Sequence, residues 1–484
     1  MQKKNTNKVF NTIKKFKNIT NNSKLVRNGG VFFAISGTKT DGNQYIKDAI
    51  KKGAKAIVTD KKNVAKIYNK SVRILIVDDC RDSYAHSCSE YFSRPSSNLE
   101  ICGITGTNGK TSIAHLLRTI WGEESGLIGT IETSYSKKVL PSSLTTPDSY
   151  ELNKILKDMK KSRMKKVFME VSSHSLDMCR VNYTNFDSCI FTNLSRDHLD
   201  FHKNMTDYFQ TKAKLFIENL RESKKANKFA IINLDNKWGK KLLTLIPKQI
   251  STITYSLKNK DADFYISKIT KEKDVNNLII KSRDKEFSIK TELFGKYNFE
   301  NILASCSYSI TKGLDSGELK KRVRRFKGAP GRLERIKNTD LKIFIDYAHT
   351  PDALKKSISS LRDNFRNKKI TVLFGCGGNR DTGKRAKMGS IAEKFADKII
   401  ITSDNPRFED PESIIKDIIK GIEKPKKIIT DRKEAIMWSI QNIKKNEVLL
   451  IAGKGHEDYQ EINGKKNKFS DYKEVKKCLK EIKY

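Results

Sequence analysis

One run of the chain has residue types and spacing that could do chemistry by themselves: Ile104-Thr105-Gly106-Thr107-Asn108-Gly109-Lys110-Thr111-Ser112. An apolar stretch, Leu99 to Ile104, leads into it, and Ile113, Leu116, Leu117 and Ile120 follow on one helical stripe. Strand, glycine turn and helix start form the setting in which backbone amides wrap a phosphate. Gly106 and Gly109 let the amides turn inward, and the helix N-terminus adds positive potential. Thr107, Asn108 and Ser112 belong to the same cradle, Lys110 would reach the outer phosphates of a nucleotide, and the Thr111 hydroxyl would sit on Mg²⁺. The generic pattern has Gly where Ile104 stands, so the loop is a variant form.

A second concentration of chemistry begins at Lys166-Val-Phe-Met-Glu170, an apolar strand that ends in a carboxylate. Such an acid at a strand's carboxyl end is where nucleotide-binding sheets place a Mg²⁺ partner. Thr145 and Thr146 precede it, ahead of a helix starting near Asp148, and Ser172, Ser173, His174 and Arg180 follow it. The next strand, Ser188 to Asn193, runs into Arg196-Asp197-His198-Leu199-Asp200-Phe201-His202. Two acids and two imidazoles after a strand suit an oxygen/nitrogen metal shell or an acid–base pair, and equally a hydrated loop with a helix cap. The helical pattern from Tyr208 to Phe216 puts Lys212 on a face near that cluster, and Asn298 and Asn301 share a face of a later helix.

After Phe326 to Arg332 the chain settles into regular strand–helix alternation. Strands at Ile343–Asp346, Ile370–Phe374, Ile399–Thr402 and Val448–Ile451 are predicted, with helices between them. Each strand end carries polar groups: Tyr347 and His349; Asn379, Arg380 and Asp381; Asp404, Asn405, Pro406 and Arg407; Gly453, His456 and Glu457. Ligands of open α/β sheets bind beyond strand carboxyl ends, so four adorned ends imply one shared site.

The elements that must hold these residues need several cores. At 484 residues the chain is expected to form three domains, at about 150 residues each. These are a small N-terminal α/β domain over 1–97, a central phosphate-loop ATPase domain with a parallel sheet over 98–329, and a C-terminal Rossmann-like domain over 330–484. In the first, Val31–Ile35 and Ala54–Val58 read as strands, with a polar loop, Ser36 to Gly42, between the first strand and a helix from Tyr45. No membrane-spanning run and no secretory segment stand out, since lysines interrupt Met1 to Asn18 throughout. Eight scattered cysteines without a C-x-x-C pair argue for reduced thiols and a cytoplasmic location, against zinc or a disulfide framework. The net charge of +40 is spread along the whole chain in lysine doublets, so a nucleic-acid partner is not expected. Neither is membrane insertion, and the protein is expected to be a monomer acting on small molecules.

Taken together, from about Ser23 to about Asp471, these motifs resemble the Mur ligase family of ATP-dependent amide-forming enzymes. The stretches that carry the resemblance are Gly106-Thr-Asn-Gly-Lys-Thr111, Glu170-Val-Ser-Ser-His174, Asn193 to Asp200, Asp346-Tyr-Ala-His-Thr-Pro-Asp352 and Gly453-Lys-Gly-His-Glu457. The resemblance implies that Lys110, Thr111, Glu170 and His198 handle ATP phosphates and Mg²⁺. It implies that Lys212 is the lysine this family carbamylates into a metal ligand, with Lys214 close enough to compete for the assignment. Asn298, Asn301, Arg332 and Asp346 would contact the nucleotide. Ser23 and Thr38-Lys39-Thr40 would contact a uridine diphosphate, and Thr145, Thr146, Ser172 and Arg180 a muramoyl-dipeptide. Asp404-Asn405-Pro406-Arg407 has the form of the diaminopimelate-adding members. Arg407 and Arg380 could pair with that substrate's extra carboxylate, and Gly453 and Glu457 would hold its amino-acid end.

Two departures stand out: Asn22-Ser23-Lys24 replaces the usual Asp-Ser-Arg, and Met178 stands at a usual Gln. The rival readings are a lysine-adding or folylpolyglutamate-type ligase and, from another class, a basic nucleic-acid-stimulated ATPase.

Overall fold

Short apolar strands alternating with amphipathic helices fold the chain into three open sheets. The computed structural model describes residues 9–16, 18–37, 40–61, 72–272, 275–283, 285–423 and 426–482. The first sheet is parallel, in the order Ile19–Thr20, Gly30–Phe33, Ala54–Thr59, Arg73–Ile76. Both its faces are covered. Val31, Phe33, Ala56 and Val58 pack on Tyr84 and Cys88 of the helix Cys80–Tyr91, while Phe32 and Ile57 pack on Ile46 and Ala49 from the other side. Burial on both faces is why these strands read as nearly continuous apolar runs.

The second sheet has eleven strands. Its middle is parallel, in the order Ser251–Ser256, Phe229–Asn233, Ser188–Phe191, Glu100–Thr105, Lys166–Glu170, Ser125–Ile128. The parallel sheet expected from the sequence is therefore present, but its edges are antiparallel. Phe264–Glu272 joins Ser251–Ser256 in parallel and then forms an antiparallel meander with Val275–Ser282 and Glu286–Thr291 on one side, and Glu132–Tyr135 and Lys138–Pro141 extend the other. The meander buries only alternate residues: Phe264, Ile266, Leu278, Ile280, Phe287 and Ile289 join the core that includes Leu319 and Val323. One solvated face permits antiparallel pairing, which a doubly covered parallel strand does not need.

The third sheet runs Glu334–Arg335, Lys342–Asp346, Glu447–Ala452, Lys369–Phe374, Lys398–Ile401, Lys427–Ile428, parallel except at the first pair. The last of its strands in sequence, Glu447–Ala452, lies between Lys342–Asp346 and Lys369–Phe374, the sheet's first two parallel strands in sequence. That reversal of strand order opens a crevice at the carboxyl ends, where the four polar stretches lie. A hairpin, Tyr459–Ile462 with Lys465–Lys468, follows. Among the described residues no helix is long and apolar enough to cross a membrane.

Leu450 is completely buried in the middle of this sheet. Leu450→Ala is expected to lower stability by about 2–5 kcal/mol in urea denaturation; a loss under about 1 kcal/mol would contradict the packing described.

Candidate active site

The phosphate loop connects the strand Glu100–Thr105 to the helix Lys110–Trp121. Gly106 has φ 147° and Gly109 φ 92°. A side chain at Gly106 would run into the Thr192 hydroxyl, and one at Gly109 would come within 2.5 Å of Asn301 Oδ1. Glycine is required at both places by backbone conformation and by space. The loop is braced by the segment after the strand Ser188–Phe191. Thr107 N donates to Asn193 O at 2.8 Å, Asn108 N to Asn193 Oδ1 at 3.1 Å, and Thr192 Oγ1 to Asn108 O at 2.6 Å. These braces, with Ser195 N donating to Thr107 Oγ1 at 3.1 Å, are functional support that the motif alone did not reveal. Lys110 Nζ lies at the loop's centre, donating to the carbonyls of Gly106 and Thr107 at 2.9 Å each. Burial lowers its pKa, against the pull of Glu170. Ser112 is buried in the helix's first turn.

Thr111 joins the loop to Glu170. Its hydroxyl donates to Glu170 Oε2 at 2.9 Å, and the carboxylate is fully buried. Thr130 supplies the remaining donors, its amide to Oε1 at 2.8 Å and its hydroxyl to Oε2 at 3.1 Å. The same hydroxyl lies 3.1 Å from Thr145 Oγ1. Thr146 Oγ1 donates to Glu170 O at 2.9 Å and receives Ser172 N at 3.1 Å, while Arg180 Nη1 donates to Thr146 O at 3.2 Å. Thr145, Thr146, Ser172 and Arg180 thus form one hydrogen-bonded patch beside the carboxylate. Met178 Sδ receives Arg180 Nη2 at 3.1 Å, so the thioether takes up the arginine as a weak acceptor.

The helix Met205–Lys214 turns Lys212 inward and leaves Lys214 half-buried. Lys212 is buried, with Nζ donating to Thr105 Oγ1 at 3.4 Å and lying 4.9 Å from the centre of the Tyr208 ring. Burial, and then the nearby charge of Lys110, push its pKa well below the ordinary value, with Asp197 opposing. His198 sits on a loop in left-handed conformation, φ 54°, its ring edge-on to His174 at 5.1 Å. Burial pushes its pKa down to about 4, Asp197 opposes, and Lys212, His174 and Lys110 lower it further. His202 is instead a structural residue of the same loop: Nε2 meets Ser173 Oγ at 2.9 Å and Nδ1 meets Asp207 Oδ2 at 3.3 Å. Among the described residues no three His, Cys, Asp or Glu side chains converge as a metal site. The oxygen donors at hand are the Thr111 hydroxyl and the Glu170 carboxylate.

The third sheet reaches the loop through Arg332, whose Nη2 donates to Thr111 Oγ1 at 3.3 Å. The guanidinium lies 4.6 Å over the Tyr347 ring. Asp346 is buried, accepting from Ser357 Oγ at 2.9 Å and from Leu333 N at 2.6 Å, and burial raises its pKa. Asn298 and Asn301 are buried on the helix Lys296–Thr311. Asn298 Nδ2 is tied to Phe294 O at 2.9 Å, and Asn301 lies against Gly109. A second link between the sheets runs from Asn108 Nδ2 to Asp352 Oδ2 at 3.2 Å.

The far end of the crevice is a polar network. Asn405 Nδ2 donates to Glu457 Oε2 at 2.8 Å, and the buried Lys454 donates to Asn405 Oδ1 at 2.9 Å and Glu457 Oε2 at 3.1 Å. Burial raises the Glu457 pKa. Gly453, at φ 115°, lets Asp404 approach: a side chain there would stand 2.5 Å from Asp404 Oδ2. Pro406 carries the loop to Arg407, itself in left-handed conformation at φ 56°. Arg407 Nη1 donates to Gly378 O at 2.7 Å and Nε to Glu461 Oε2 at 3.2 Å. Arg380 is exposed, 4.0 Å from Asp200 of the second sheet's cluster. The two lie in a cleft of about 400 Å³ lined also by Arg196, Leu199 and Asp381.

In the N-terminal unit, Ser23 is buried and starts a short 3-10 turn capped by Asn22, whose Oδ1 accepts from Lys24 N at 2.9 Å. Asn caps this turn as Asp would, so the departure leaves the local backbone supported. Thr40 is exposed, while Thr38 and Lys39 lie outside the described residues.

Three family signatures cover this architecture in order. Residues 15–86 match the Mur ligase family catalytic domain, 104–308 the Mur ligase middle domain, and 331–455 the Mur ligase glutamate ligase domain. The chain belongs to the Mur ligase family. It is 43% identical over 472 residues to the UDP-N-acetylmuramoyl-L-alanyl-D-glutamate–2,6-diaminopimelate ligase of Aquifex aeolicus, spanning 96% of this chain and 94% of that one. Identity to the Fusobacterium nucleatum ligase of the same name is 38% over 469 residues, spanning 96% and 94%. A solved structure of a ligase of that name aligns with a TM-score of 0.69 at 32% identity, over 97% of this chain and 96% of the other. The MurF ligase of Thermotoga maritima in complex with ADP shares the fold, with a TM-score of 0.61 at 21% identity over 96% and 97%.

Glu300, between Asn298 and Asn301 on the helix Lys296–Thr311, is pushed up to about 7 by burial, with Asp235 and Asp352 adding and Lys356 and Lys258 opposing. The folded chain therefore binds more protons than the unfolded chain between the ordinary value of 4.5 and 7, and stability falls as pH rises through that window. Glu300→Gln removes this titration. In urea melts the variant is expected to exceed the wild type by about 1–3 kcal/mol at pH 8 and to match it near pH 4.5; a wild-type advantage at pH 8 would contradict the assignment.

Proposed function

We propose that this Mur ligase adds meso-diaminopimelate to the D-glutamate carboxylate of UDP-N-acetylmuramoyl-L-alanyl-D-glutamate, using ATP, in peptidoglycan precursor synthesis. The observation that carries this reading is the meeting of two sheets at Thr111, whose hydroxyl touches Glu170 of one and Arg332 of the other. A phosphate loop thereby lies against the sheet whose strand ends bear Asp404, Arg407 and Glu457. Residues 1–97 would take the UDP-sugar, 98–329 the ATP and 330–484 the incoming amino acid. The free state of all eight cysteines suits a cytoplasmic enzyme, which we take to act as a monomer.

A carboxylate oxygen of the substrate attacks the γ-phosphorus of ATP, and the bond from phosphorus to the bridging oxygen of ADP breaks. The resulting acyl phosphate is attacked at its carbonyl carbon by the amine of meso-diaminopimelate. Nitrogen loses a proton, the carbon–oxygen bond breaks, and phosphate leaves. Lys110 and the loop amides would hold the phosphates in line. Asn298, Asn301, Arg332 and Asp346 would fix the nucleoside end. Thr145, Thr146, Ser172 and Arg180, already joined beside Glu170, would hold the peptide carboxylate near the phosphate loop. Ser23 and residues 38–40 would hold the diphosphate. At the other end Arg407 and Arg380 would receive the second carboxylate of meso-diaminopimelate, which lysine lacks.

Mg²⁺ would fit the oxygen donors Thr111 and Glu170 and would neutralise charge on the phosphates, and we assign His198 to the same shell. Lys212 as an ammonium does not fit such a site. Burial lowers the pKa of its amine, which favours the neutral form that can attack CO₂: a nitrogen–carbon bond forms, a proton leaves, and the resulting N6-carboxylysine is an anionic oxygen donor. This supports the assignment to Lys212 over Lys214.

Two measurements test the reading. With ATP and the UDP-muramoyl-dipeptide, phosphate release is expected with meso-diaminopimelate and to be at least tenfold weaker with L-lysine; the reverse order would overturn the specificity. Lys212→Ala is expected to lose at least 100-fold in kcat and to recover in part with a small carboxylic acid; full activity without rescue would remove Lys212 from the site.

A further inference from the structure

A fully buried ion pair lies beneath the amino-acid end of the crevice and belongs to none of the motifs. Arg432 opens the helix Arg432–Asn442 and Asp471 opens the helix Asp471–Glu481, and neither side chain has exposed surface. They form a two-pronged bond, Nε to Oδ1 and Nη2 to Oδ2, each 2.8 Å. The same guanidinium donates to two backbone carbonyls, Nη1 to Ser403 O at 3.3 Å and Nη2 to Ala452 O at 3.0 Å.

Those two carbonyls immediately precede Asp404 and Gly453. They lie at the ends of strands Lys398–Ile401 and Glu447–Ala452, which are not neighbours, because Lys369–Phe374 runs between them. Arg432 therefore spans the end of the central strand and sets the distance between the two loops of the crevice. The tolerance there is small. Asp404 Oδ2 stands where a Gly453 side chain would be, and a side chain at Gly375, at the end of the intervening strand, would overlap Thr402 O. Asn405 and Glu457, tied together through Lys454, complete the connection on the crevice side.

A buried ion pair is a poor way to gain stability, because desolvating both charges costs about as much as their attraction returns, and apolar replacements are often neutral or better. Burial does oppose the Arg432 charge, and Asp471 outweighs it. What an apolar pair cannot do is donate to two carbonyls on separate strands in the fixed fork of a guanidinium.

We infer that Arg432, oriented by Asp471, is a positioning residue for the amino-acid substrate: it holds the Asp404–Arg407 and Gly453–Glu457 loops at the separation that fits meso-diaminopimelate. The inference rests on the function proposed above.

The test compares wild type with Arg432→Lys, which keeps the charge but loses the fork, and with the double variant R432M/D471L, which removes both charges and leaves no unpaired one. Thermal melts check folding, and steady-state kinetics give KM for each of the three substrates. Both variants are expected to fold and to raise KM for meso-diaminopimelate at least tenfold. KM for ATP and for the UDP-muramoyl-dipeptide should stay within twofold, and kcat within threefold. A folded variant with unchanged KM for meso-diaminopimelate overturns the inference, as does a parallel rise in all three constants. Failure of both variants to fold also overturns it, since the pair is then structural. A wild type that releases no phosphate with meso-diaminopimelate overturns the underlying function, a result separate from unaltered variants of an active enzyme.

Discussion

The site depends on keeping one carboxylate, Glu170, dry and fully hydrogen-bonded at the end of a strand. Its side chain has no exposed surface, and a buried acid of that kind is tolerated only when donors replace its lost water. Thr111 and Thr130 supply them, at 2.9 Å and at 2.8 and 3.1 Å. Gly129 makes room for the arrangement, since a side chain there would approach Glu170 Oε1 within 2.5 Å. The phosphate-loop helix, the turn at Thr130 and the strand Lys166–Glu170 are thereby locked into one geometry. The hydroxyls of Thr146 and Ser172 hang from the same point, because Thr146 is bonded to the backbone of Glu170 itself.

Beside this acid and its phosphate loop the fold gathers three basic side chains. Lys110 is turned onto its own loop carbonyls, Lys212 is buried against a hydroxyl and an aromatic ring, and Arg332 arrives from the third sheet. Burial first, and then a neighbouring positive charge (Arg332 for Lys110, Lys110 for Lys212), lowers the pKa of each lysine. A polyanion such as a nucleoside triphosphate relieves that repulsion, and converting one amine into a carbamate changes its sign outright. The local arrangement explains more of the chemistry than the net charge of +40, which is spread over the whole chain.

Much of this was legible in the sequence because it is local. The phosphate loop, the strand ending in Glu170 and the polar strand ends of the last domain are short stretches in which residue type and spacing suffice. The braces Thr192, Asn193 and Ser195 were not legible as such, for they meet the loop from more than eighty residues away through ordinary hydroxyl and amide groups. The same holds for Asn108 with Asp352, and for Arg432 with Asp471, whose significance lies only in the carbonyls they reach. The antiparallel edges of the central sheet carry alternation without chemistry, so a search led by motifs passes over them. Lys212 and Lys214, two residues apart, are separated by burial, which spacing alone does not give.

The central claim is that ATP activates a substrate carboxylate as an acyl phosphate before the amine attacks. The most direct measurement follows oxygen: the D-glutamate carboxylate of the UDP-muramoyl-dipeptide is labelled with oxygen-18, and the phosphate released with ATP and meso-diaminopimelate is analysed by mass spectrometry. The account predicts that each phosphate carries one oxygen from the carboxylate. Phosphate formed without that label, alongside normal amide product, would contradict it.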